Sequence, residues 1–310
     1  MDLRPGDIVI PKAFLDMPRW WREGTDWLDA LPEAVVAACR RWRLRITGDL
    51  LHGSNAIVVP VHRDQEPLAL RLTPPGPEVA DQVAALRFWD GRGTVRLVAA
   101  DLEAGAMLLE RLAVDGSLRD VPIEEALPVL GAMMCRLAVP APPEAPSTGR
   151  VAADRAATLP AEWARLNEPF DETFLRQAIE AATRLTDPAV DRAVDPAVHP
   201  AVDPAVDGDL HSGQVLRGTR EEWLTVDPVL LRGDIAFDLG RMLWTRLDEL
   251  PTAAAIRRGF DAVVTAAELD RDRACDWVTF RTVDYWLWGL SNGLTEDPAR
   301  CDRLFRAMAS

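Results

Sequence analysis

The chain carries the sequence Asp-Gly-Asp-Leu-His-Ser-Gly-Gln at residues 207–214, and Trp-Leu-Thr-Val-Asp-Pro follows it at residues 223–228. The first stretch places the carboxylate of Asp209 five residues before the amide of Gln214. The second is a short apolar run that ends at Asp227, as a strand does when its last residue faces a functional site. The pattern predicts that these three side chains converge.

Phosphoryl transfer needs the combination of groups that these two stretches supply. One carboxylate orients the attacking hydroxyl, while an amide and a second carboxylate hold Mg²⁺ from two sides. Mg²⁺ prefers hard oxygen ligands, which Gln214 and Asp227 offer. The spacing therefore indicates a kinase, with Asp209 as the catalytic base and Gln214 and Asp227 as the metal ligands.

The hydrophobic pattern outside these stretches predicts two differently built regions. Residues 26–43 have apolar positions at helical spacing and predict a first helix. Short segments rich in Val, Ile and Leu predict antiparallel strands at residues 44–48, 56–62, 67–73, 95–99 and 106–112. A helix is expected at residues 78–89, and the chain after residue 122 is mainly helical apart from a hairpin around residues 214–228. We therefore expect a five-stranded sheet lobe with one main helix at residues 1–112 and a helical lobe at residues 113–310.

Composition narrows the classes of function. The 310 residues carry a formal net charge of −14, which disfavours binding to nucleic acids. The acidity suits a cationic substrate, although it also serves solubility alone. No basic start precedes an apolar leader, and no run reaches about 18 apolar residues, so we expect a cytoplasmic protein without a membrane span. The four cysteines form no CxxC pair, which argues against a zinc site or a disulfide framework.

Residues 187–207 form a four-residue near-repeat of the type Asp-Pro-Ala-Val. Proline recurs in most periods, so neither a helix nor a central strand is expected to persist there. We predict an exposed extended loop. A role as a lid or a partner-binding arm stays open.

Two segments resemble the aminoglycoside phosphotransferase family. The catalytic stretch is similar to the family's HGDxHxxN motif, and VDPVLLRGDIAFDL at residues 226–239 is similar to the WLxxDPxPLxGDPxxDL pattern of the streptomycin 6-phosphotransferase and hydroxyurea phosphotransferase branch. Residues 89–112 resemble the same branch. The resemblance implies a bilobal, protein-kinase-like α+β fold. It also implies transfer of the ATP γ-phosphoryl group, with Mg²⁺, to a hydroxyl of an aminoglycoside-type antibiotic or of hydroxyurea, giving resistance.

The resemblance also assigns roles by position. Asp209 would be the catalytic base, while Gln214 and Asp227 would bind the metal. Glu110 to Leu112 would be the hinge whose backbone meets the adenine, so Glu110 and Leu112 count among the nucleotide-binding residues. Asp238 would be an acid that braces the catalytic loop.

Three positions depart from the family pattern. Asp207 stands where the family has His, and Gln214 stands where it often has Asn. The nucleotide-binding Lys is replaced by Arg71, because Lys12 is the only lysine of the chain. Arginine keeps the charge but differs in reach and geometry. These departures keep a second function open, namely a nucleotide- or ligand-binding pseudokinase with little or no transfer activity.

The partner of Arg71 and the phosphate-covering turn are less defined by sequence. Glu78 and Gln82 are four residues apart on one helix face, so either is a candidate to face Arg71, and Glu78 carries the charge. The turn that contains Gly53 and Ser54 lies between two strands, where a loop covering the phosphates would sit.

Four other polar and aromatic residues are candidates for supporting the loop or for contacting the acceptor. His211 is interpreted as bracing the loop through a hydrogen bond, and Asp234 as a turn or cap residue. Asp284 and Trp288 are candidates to contact the acceptor, as an amine-binding carboxylate and a stacking ring, although a core helix with a tryptophan stripe explains them equally well. The expected partners are a nucleotide and a small hydroxyl acceptor, and the expected state is a monomer or weak dimer.

Overall fold

The computed structural model describes residues 3–17, 20, 25–113, 115–186 and 203–309, and the chain divides into two compact units. The first unit comprises Met1–Val114 together with Arg217–Leu224. The second comprises Asp115–Leu216 together with Thr225–Ser310. Residues 217–224, which contain the turn of a β-hairpin, therefore belong to the first unit, although the chain before and after them belongs to the second.

The first unit is built on an antiparallel sheet of six strands in the order β1-β3-β4-β6-β5, with β2 also paired to β3. The strands are β1 (Arg45–Ile46), β2 (Leu51–His52), β3 (Ile57–Arg63), β4 (Glu66–Leu72), β5 (Leu97–Asp101) and β6 (Ala106–Glu110). The prediction of five strands was wrong by one. The extra strand, β2, forms because the chain folds back at residues 53–56 and pairs Leu51 with Val58.

Helices complete the first unit: α1 (Lys12–Leu15), α2 (Asp26–Trp42) and α3 (Pro77–Trp89). The apolar face of α2 packs on the sheet, and Leu31 and Val35 share one core cluster with Ile57 and Leu70. All four side chains are fully buried. Burial of each such side chain contributes about 1.5–3 kcal/mol, which explains why the period-3.6 pattern located this helix.

The turn between β5 and β6 requires glycine at position 105. Gly105 has φ of +62°, and a Cβ atom there would lie 2.1 Å from the carbonyl oxygen of Thr73. The Gly105 carbonyl also accepts a hydrogen bond from the Thr73 amide at 3.0 Å. Any side chain would break the close approach of these two backbone segments.

The second unit is mainly helical. Its helices are α4 (Ile123–Leu137), α5 (Thr148–Arg165), α6 (Glu172–Leu185), α7 (Leu239–Trp244), α8 (Ala253–Ala266), α9 (Arg271–Ser291) and α10 (Glu296–Ala309). The long α9 packs against α5, α6, α7 and α10, whereas α4 packs against α8. Trp244, Trp277 and Phe280 are fully buried at the centre. Within the described ranges, none of the helices is both long and apolar enough to cross a membrane.

Two short sheets hold the segments that carry the site. Strand β7 (Ala205–Asp207) pairs antiparallel with β10 (Leu230–Arg232), and β8 (Val215–Arg217) pairs with β9 (Trp223–Thr225) in the predicted hairpin. The prediction of one continuous loop over residues 187–207 is wrong at its end. Residues 205–207 form a strand because they follow the last proline of the repeat and can pair fully, while residues 187–202 lie outside the described residues.

Candidate active site

The loop after β7 brings Asp209 and Gln214 into direct contact. β7 ends at Asp207, and a 3₁₀ helix at Ser212–Gln214 turns the chain back. Gln214 Nε2 then donates a hydrogen bond of 2.6 Å to Asp209 Oδ2. The side chain of Asp209 remains 28% exposed, so its carboxylate is accessible to a small molecule.

Arg241 is a residue of the site that the sequence analysis missed. It lies on α7, and its Nε forms an ion pair with Asp209 Oδ1. The available signal was its position three residues after Asp238, which puts both side chains on one helix face. That spacing gives no indication of a contact with a residue more than thirty positions away.

The environment of Asp209 changes its acidity. Burial raises the pKa of its carboxyl, the nearby charge of Asp227 raises it further, and the guanidinium of Arg241 lowers it, so that the net pKa lies above the ordinary aspartate value. A carboxylate with a raised pKa is a better proton acceptor near neutral pH.

Asp227 lies beside the same loop. The Val226 amide donates a 2.9 Å hydrogen bond to the Gln214 carbonyl, which ties the end of β9 to the loop. The charge of Asp227 raises the pKa values of both Asp207 and Asp209. The structure therefore brings Asp209, Gln214 and Asp227 together, and their catalytic and metal-binding roles stay predictions.

The oxygens of this cluster suit a magnesium ion that is completed by other ligands. Gln214 Oε1 is buried and has no hydrogen-bond partner, so a hard acceptor atom is available beside Asp227. Among the residues that the structure describes, no group of three or more His, Cys, Asp or Glu is arranged to hold a metal ion. Mg²⁺ commonly binds to one or two protein oxygens and takes its remaining ligands from phosphates and water.

Asp207 braces the catalytic loop from inside the second unit. It is 3% exposed, and its Oδ1 accepts hydrogen bonds from the amides of Asp209 at 3.2 Å and Val229 at 3.0 Å. Thr225 Oγ1 donates to Oδ2 at 3.4 Å. Burial, with the charges of Asp209 and Asp227, raises the pKa of Asp207 to about 7 despite these backbone donors.

The interpretations of His211 and Asp234 are confirmed. His211 Nδ1 accepts a hydrogen bond from the Gly213 amide at 3.1 Å, and burial lowers the pKa of the ring to about 3, so the imidazole is neutral at pH 7. Asp234 accepts from the Ala236 amide at 2.9 Å and so caps the 3₁₀ helix that precedes α7. It also forms an ion pair with Arg273.

A buried set of charges continues from the loop into α9. Asp238 is 1% exposed, and burial together with the charge of Asp207 raises its pKa well above the aspartate value. The opposing charge comes from Arg281 and Arg241, which lower that pKa. Arg281 also lies over the ring of Phe237 at 4.1 Å, so this cation is held by an aromatic face as well as by carboxylates.

The two residues suggested for the acceptor are placed very differently. Asp284 is 7% exposed, and its carboxylate is paired with Arg155 at 2.6 Å and with Arg281 at 3.5 Å. An amine of a substrate would have to displace a guanidinium to reach it. Trp288, in contrast, is 47% exposed.

In the first unit, Arg71 faces Gln82 rather than Glu78. Arg71 Nη1 donates to Gln82 Oε1 at 2.5 Å, and Nη2 donates to Asn55 Oδ1 at 3.5 Å. Glu78 is exposed one turn earlier on α3. Of the two candidates on this helix face, Gln82 therefore makes the hydrogen bond that is seen, because its position at the second turn of α3 reaches the buried end of β4, while a role of Glu78 in nucleotide binding stays a prediction.

The remaining nucleotide-binding candidates lie at two turns of the first unit. Gly53 and Ser54 are exposed at the tip of the β2–β3 hairpin, where the Gly53 amide bonds to the Ala56 carbonyl at 3.0 Å. At the end of β6, the Glu110 amide bonds to the Arg96 carbonyl at 3.0 Å.

The side chains of Glu110 and Leu112, the two hinge candidates, are held by contacts within the first unit. Glu110 forms an ion pair of 3.3 Å with Arg220, and Leu112 is 9% exposed. Arg111 between them binds the carbonyls of Leu68 and Val61 at 2.8 and 3.0 Å, so it clamps neighbouring strands. An adenine would meet backbone groups here other than the Glu110 amide.

Comparison with protein families gives one model that covers most of the chain. Residues 41–293 match the model described as aminoglycoside/hydroxyurea antibiotic resistance kinase. Streptomycin 6-kinase of Streptomyces griseus is 36% identical over 283 residues, which cover 88% of this chain and 87% of that protein. Hydroxyurea phosphotransferase of Kitasatospora aureofaciens is 35% identical over 282 residues, which cover 89% of this chain and 78% of that protein.

Solved structures share the fold at low sequence identity. Choline kinase LicA of Streptococcus pneumoniae aligns with a TM-score of 0.61 and 13% identity, covering 90% of this chain and 99% of that one. Aminoglycoside phosphotransferase APH(4)-Ia aligns with a TM-score of 0.57 and 15% identity, covering 89% and 98%. The predicted protein-kinase-like α+β fold is confirmed.

Proposed function

Because the chain belongs to the aminoglycoside/hydroxyurea antibiotic resistance kinase family, we propose that it transfers the γ-phosphoryl group of ATP to a hydroxyl of a streptomycin-like aminoglycoside or of hydroxyurea and so confers resistance. The observation that carries this proposal is the accessible carboxylate of Asp209 in contact with Gln214 and next to Asp227. ATP as the donor favours a cytoplasmic location. A monomer or weak dimer would suffice, since these three groups belong to one chain.

Asp209 would accept the proton of the attacking hydroxyl. A carboxylate has about four lone-pair sites, and Arg241 and Gln214 each engage one of its oxygens. Sites therefore remain on both oxygens for the acceptor hydroxyl. The raised pKa of Asp209 brings its basicity closer to neutral pH, and a well-placed general base contributes about 10²–10⁴ in rate.

Gln214 and Asp227 would hold the metal. The buried, unpartnered Oε1 of Gln214 and the carboxylate of Asp227 provide two hard oxygens. Mg²⁺ bound there would neutralise charge that develops on the triphosphate. The longer side chain of Gln214, compared with the asparagine of the family motif, also lets Nε2 reach Asp209 and hold the base in place.

Residues 1–112 would bind the nucleotide, and residues 113–310 would carry the catalytic loop and the acceptor site. Arg71 supplies a guanidinium for the phosphate oxygens, and the exposed turn with Gly53 and Ser54 would cover them. Glu110 to Leu112 would meet the adenine.

The proposal is tested with Asp209→Asn and a panel of acceptors. The purified wild-type protein is expected to convert ATP and streptomycin, or ATP and hydroxyurea, to ADP and a phosphorylated product that mass spectrometry detects. Asp209→Asn should lower kcat by about 10³-fold with an unchanged unfolding midpoint. Asp154→Asn, at an exposed ion pair on α5, is the matched control. Full turnover by Asp209→Asn would contradict the assignment of the base.

A pseudokinase is the second candidate, and it is favoured by Arg71, Asp207 and Gln214, which stand where the family pattern has Lys, His and Asn. The Arg71 guanidinium donates to the amide oxygen of Gln82 at 2.5 Å, and this contact does not depend on a nucleotide. Thermal unfolding with ATP and Mg²⁺ separates the two functions. Stabilisation by nucleotide without product from any acceptor would support the pseudokinase.

A further inference from the structure

Trp288 is unusual among the exposed residues of the second unit. It is 47% exposed and is the one aromatic ring among the strongly exposed large apolar side chains in the described residues. Scattered exposed aliphatic side chains are ordinary on protein surfaces. An exposed tryptophan offers a flat apolar face that suits stacking on a ring of a ligand.

The ring of Trp288 is held in place by two further aromatic residues, and we call Trp244, Tyr285 and Trp288 the aromatic shelf. Tyr285 stacks on Trp288 with centroids 5.2 Å apart and an angle of 21°, and on Trp244 at 4.6 Å and 13°. Trp244 is fully buried, and the Tyr285 hydroxyl donates to Asp297 Oδ2 at 2.9 Å. The shelf is therefore pre-organised, which lowers the entropy lost when a ligand stacks on it.

The aromatic shelf is connected to the catalytic base by direct contacts. The Cζ atom of Arg241 lies 5.9 Å from the centroid of Tyr285, and the same guanidinium pairs with Asp209. Arg281, Tyr285 and Trp288 lie at positions i, i+4 and i+7 of α9, which places them on one helix face. Arg281 also acts electrostatically on Asp209. The face that adjoins the base thus continues along α9, where one turn spans about 5.4 Å, and becomes exposed at Trp288.

We infer that the aromatic shelf is the subsite for a ring of the acceptor remote from the reacting hydroxyl, with Trp288 as the stacking residue, and that the preferred acceptor is therefore a multi-ring aminocyclitol glycoside rather than hydroxyurea. The inference rests on the proposed kinase function. A molecule as small as hydroxyurea that reaches Asp209 cannot also cover Trp288, because Arg241 and Tyr285 lie between them. A glycoside with several rings extends well beyond its reacting hydroxyl, and cationic groups on it gain from an indole face.

The inferred role leaves Asp284 out of the acceptor site. Its carboxylate is already paired with Arg155 and Arg281 and is buried. These ion pairs stabilise the α9 face below the shelf, so binding of the ring would depend on stacking at Trp288 rather than on a carboxylate at position 284.

The test compares Trp288→Ala and Trp288→Phe with the control Leu102→Ala, which truncates an equally exposed apolar side chain of the first unit. Trp288→Ala should raise the KM for streptomycin, and its Kd measured by calorimetry without nucleotide, by about tenfold, because the stacking contact with the ring is lost. Trp288→Phe should recover most of that loss. The KM for ATP should stay within about twofold, as should kcat/KM for hydroxyurea.

The outcomes distinguish the inference from the function on which it rests. An unchanged Kd for streptomycin in Trp288→Ala would overturn the subsite, as would an equal loss of hydroxyurea turnover. Phosphorylation of hydroxyurea by a wild-type protein that does not bind streptomycin would overturn the subsite and leave the kinase standing. Binding of streptomycin that depends on Trp288, without transfer to any acceptor, would support the subsite and refute the kinase.

Discussion

Arg241 forms an ion pair with Asp209 through its Nε atom, and this contact joins α7 to the catalytic loop. The other carboxylate oxygen of Asp209 accepts a 2.6 Å hydrogen bond from Gln214. The ion pair and the hydrogen bond thus engage the two carboxylate oxygens of Asp209 separately. The Asp209 side chain is therefore held in one orientation, which matters for its proposed role as the base because misplacement of a reacting group by about 1 Å can cost about 10²-fold in rate.

We expect Arg241→Ala to lower kcat by about 10²-fold while the KM for ATP stays within about threefold. The Asp209 carboxylate would lose its ion pair and rotate, while the proposed metal ligands Gln214 and Asp227 would remain. Arg241→Lys should recover about tenfold, because lysine restores the charge without the planar geometry. Steady-state kinetics with both substrates varied would measure this split.

Arg246→Lys is the matched control for this prediction. Arg246 lies two residues after the end of α7, where it binds the carbonyls of Leu118 and Val121 at 3.1 and 2.7 Å and pairs with Glu249. Its replacement should lower the unfolding midpoint and leave kcat of the folded protein unchanged. If the two arginine variants lost kcat equally, Arg241 would be a structural residue only.

The parts of the fold that follow from local pattern were predictable. Helix α2 buries one face, so its period of 3.6 is visible in the sequence, whereas strands β3 and β4 are recognisable as short runs rich in Val, Ile and Leu that are mostly buried. The proximity of Asp209 and Gln214 was predictable because the two residues are only five positions apart in the sequence.

Contacts between distant segments were not predictable by the same means. The ion pair of Asp209 with Arg241, and the choice of Gln82 over Glu78 by Arg71, depend on which side chain packing turns inward. The neutralisation of Asp284 by Arg155 spans 129 residues. Spacing along a helix identifies a face but does not say what that face meets.

Asp207 makes the stability of the protein depend on pH. Its pKa rises from 3.8 to about 7 in the folded protein, so the folded state binds this proton more tightly than the unfolded chain does. The resulting stabilisation is complete below about pH 4 and is lost as the pH rises through about 7. Asp207→Asn keeps an oxygen acceptor for the Asp209 and Val229 amides and stays neutral.

We therefore expect Asp207→Asn to be more stable than the wild type at pH 8, on the order of 2–4 kcal/mol, with a smaller difference at pH 4. Urea unfolding at several pH values measures the effect. Asp81→Asn, at an exposed aspartate of α3, is the control and should follow the wild-type curve. Parallel curves for Asp207→Asn and the wild type between pH 4 and 8 would show that Asp207 does not carry this dependence.

Replacement of Gln214 tests the metal site separately from the base. Gln214→Leu removes the buried Oε1 and also the hydrogen bond to Asp209. The Mg²⁺ concentration for half-maximal activity should rise by about 10-fold or more, together with a fall in kcat. Gln214→Glu keeps the Oε1 position and should leave the Mg²⁺ requirement low, whereas its added charge next to Asp209 should still lower kcat.

The control for the metal site is Gln177→Leu on the exposed surface of α6. It should change neither parameter. An unchanged Mg²⁺ requirement in Gln214→Leu would mean that the amide oxygen does not contact the ion.

Replacement of Arg71 tests whether this arginine binds the phosphates in place of the lysine of the family pattern. Arg71→Ala removes the guanidinium that Gln82 and Asn55 hold at 2.5 and 3.5 Å. If this cation meets the phosphates, the KM for ATP should rise by at least about tenfold, because a charge-assisted contact is worth about 1.5–3 kcal/mol, while the Kd for streptomycin without nucleotide stays the same. Arg63→Ala, at an exposed ion pair on β3, provides the control for loss of a positive charge. The KM for ATP of Arg71→Lys should lie between those of Arg71→Ala and Arg63→Ala, because lysine keeps the charge but cannot hold Gln82 and Asn55 at once. Equal KM values for ATP in Arg71→Ala and Arg63→Ala would exclude Arg71 from nucleotide binding and leave its hydrogen bond to Gln82 as a structural contact between β4 and α3.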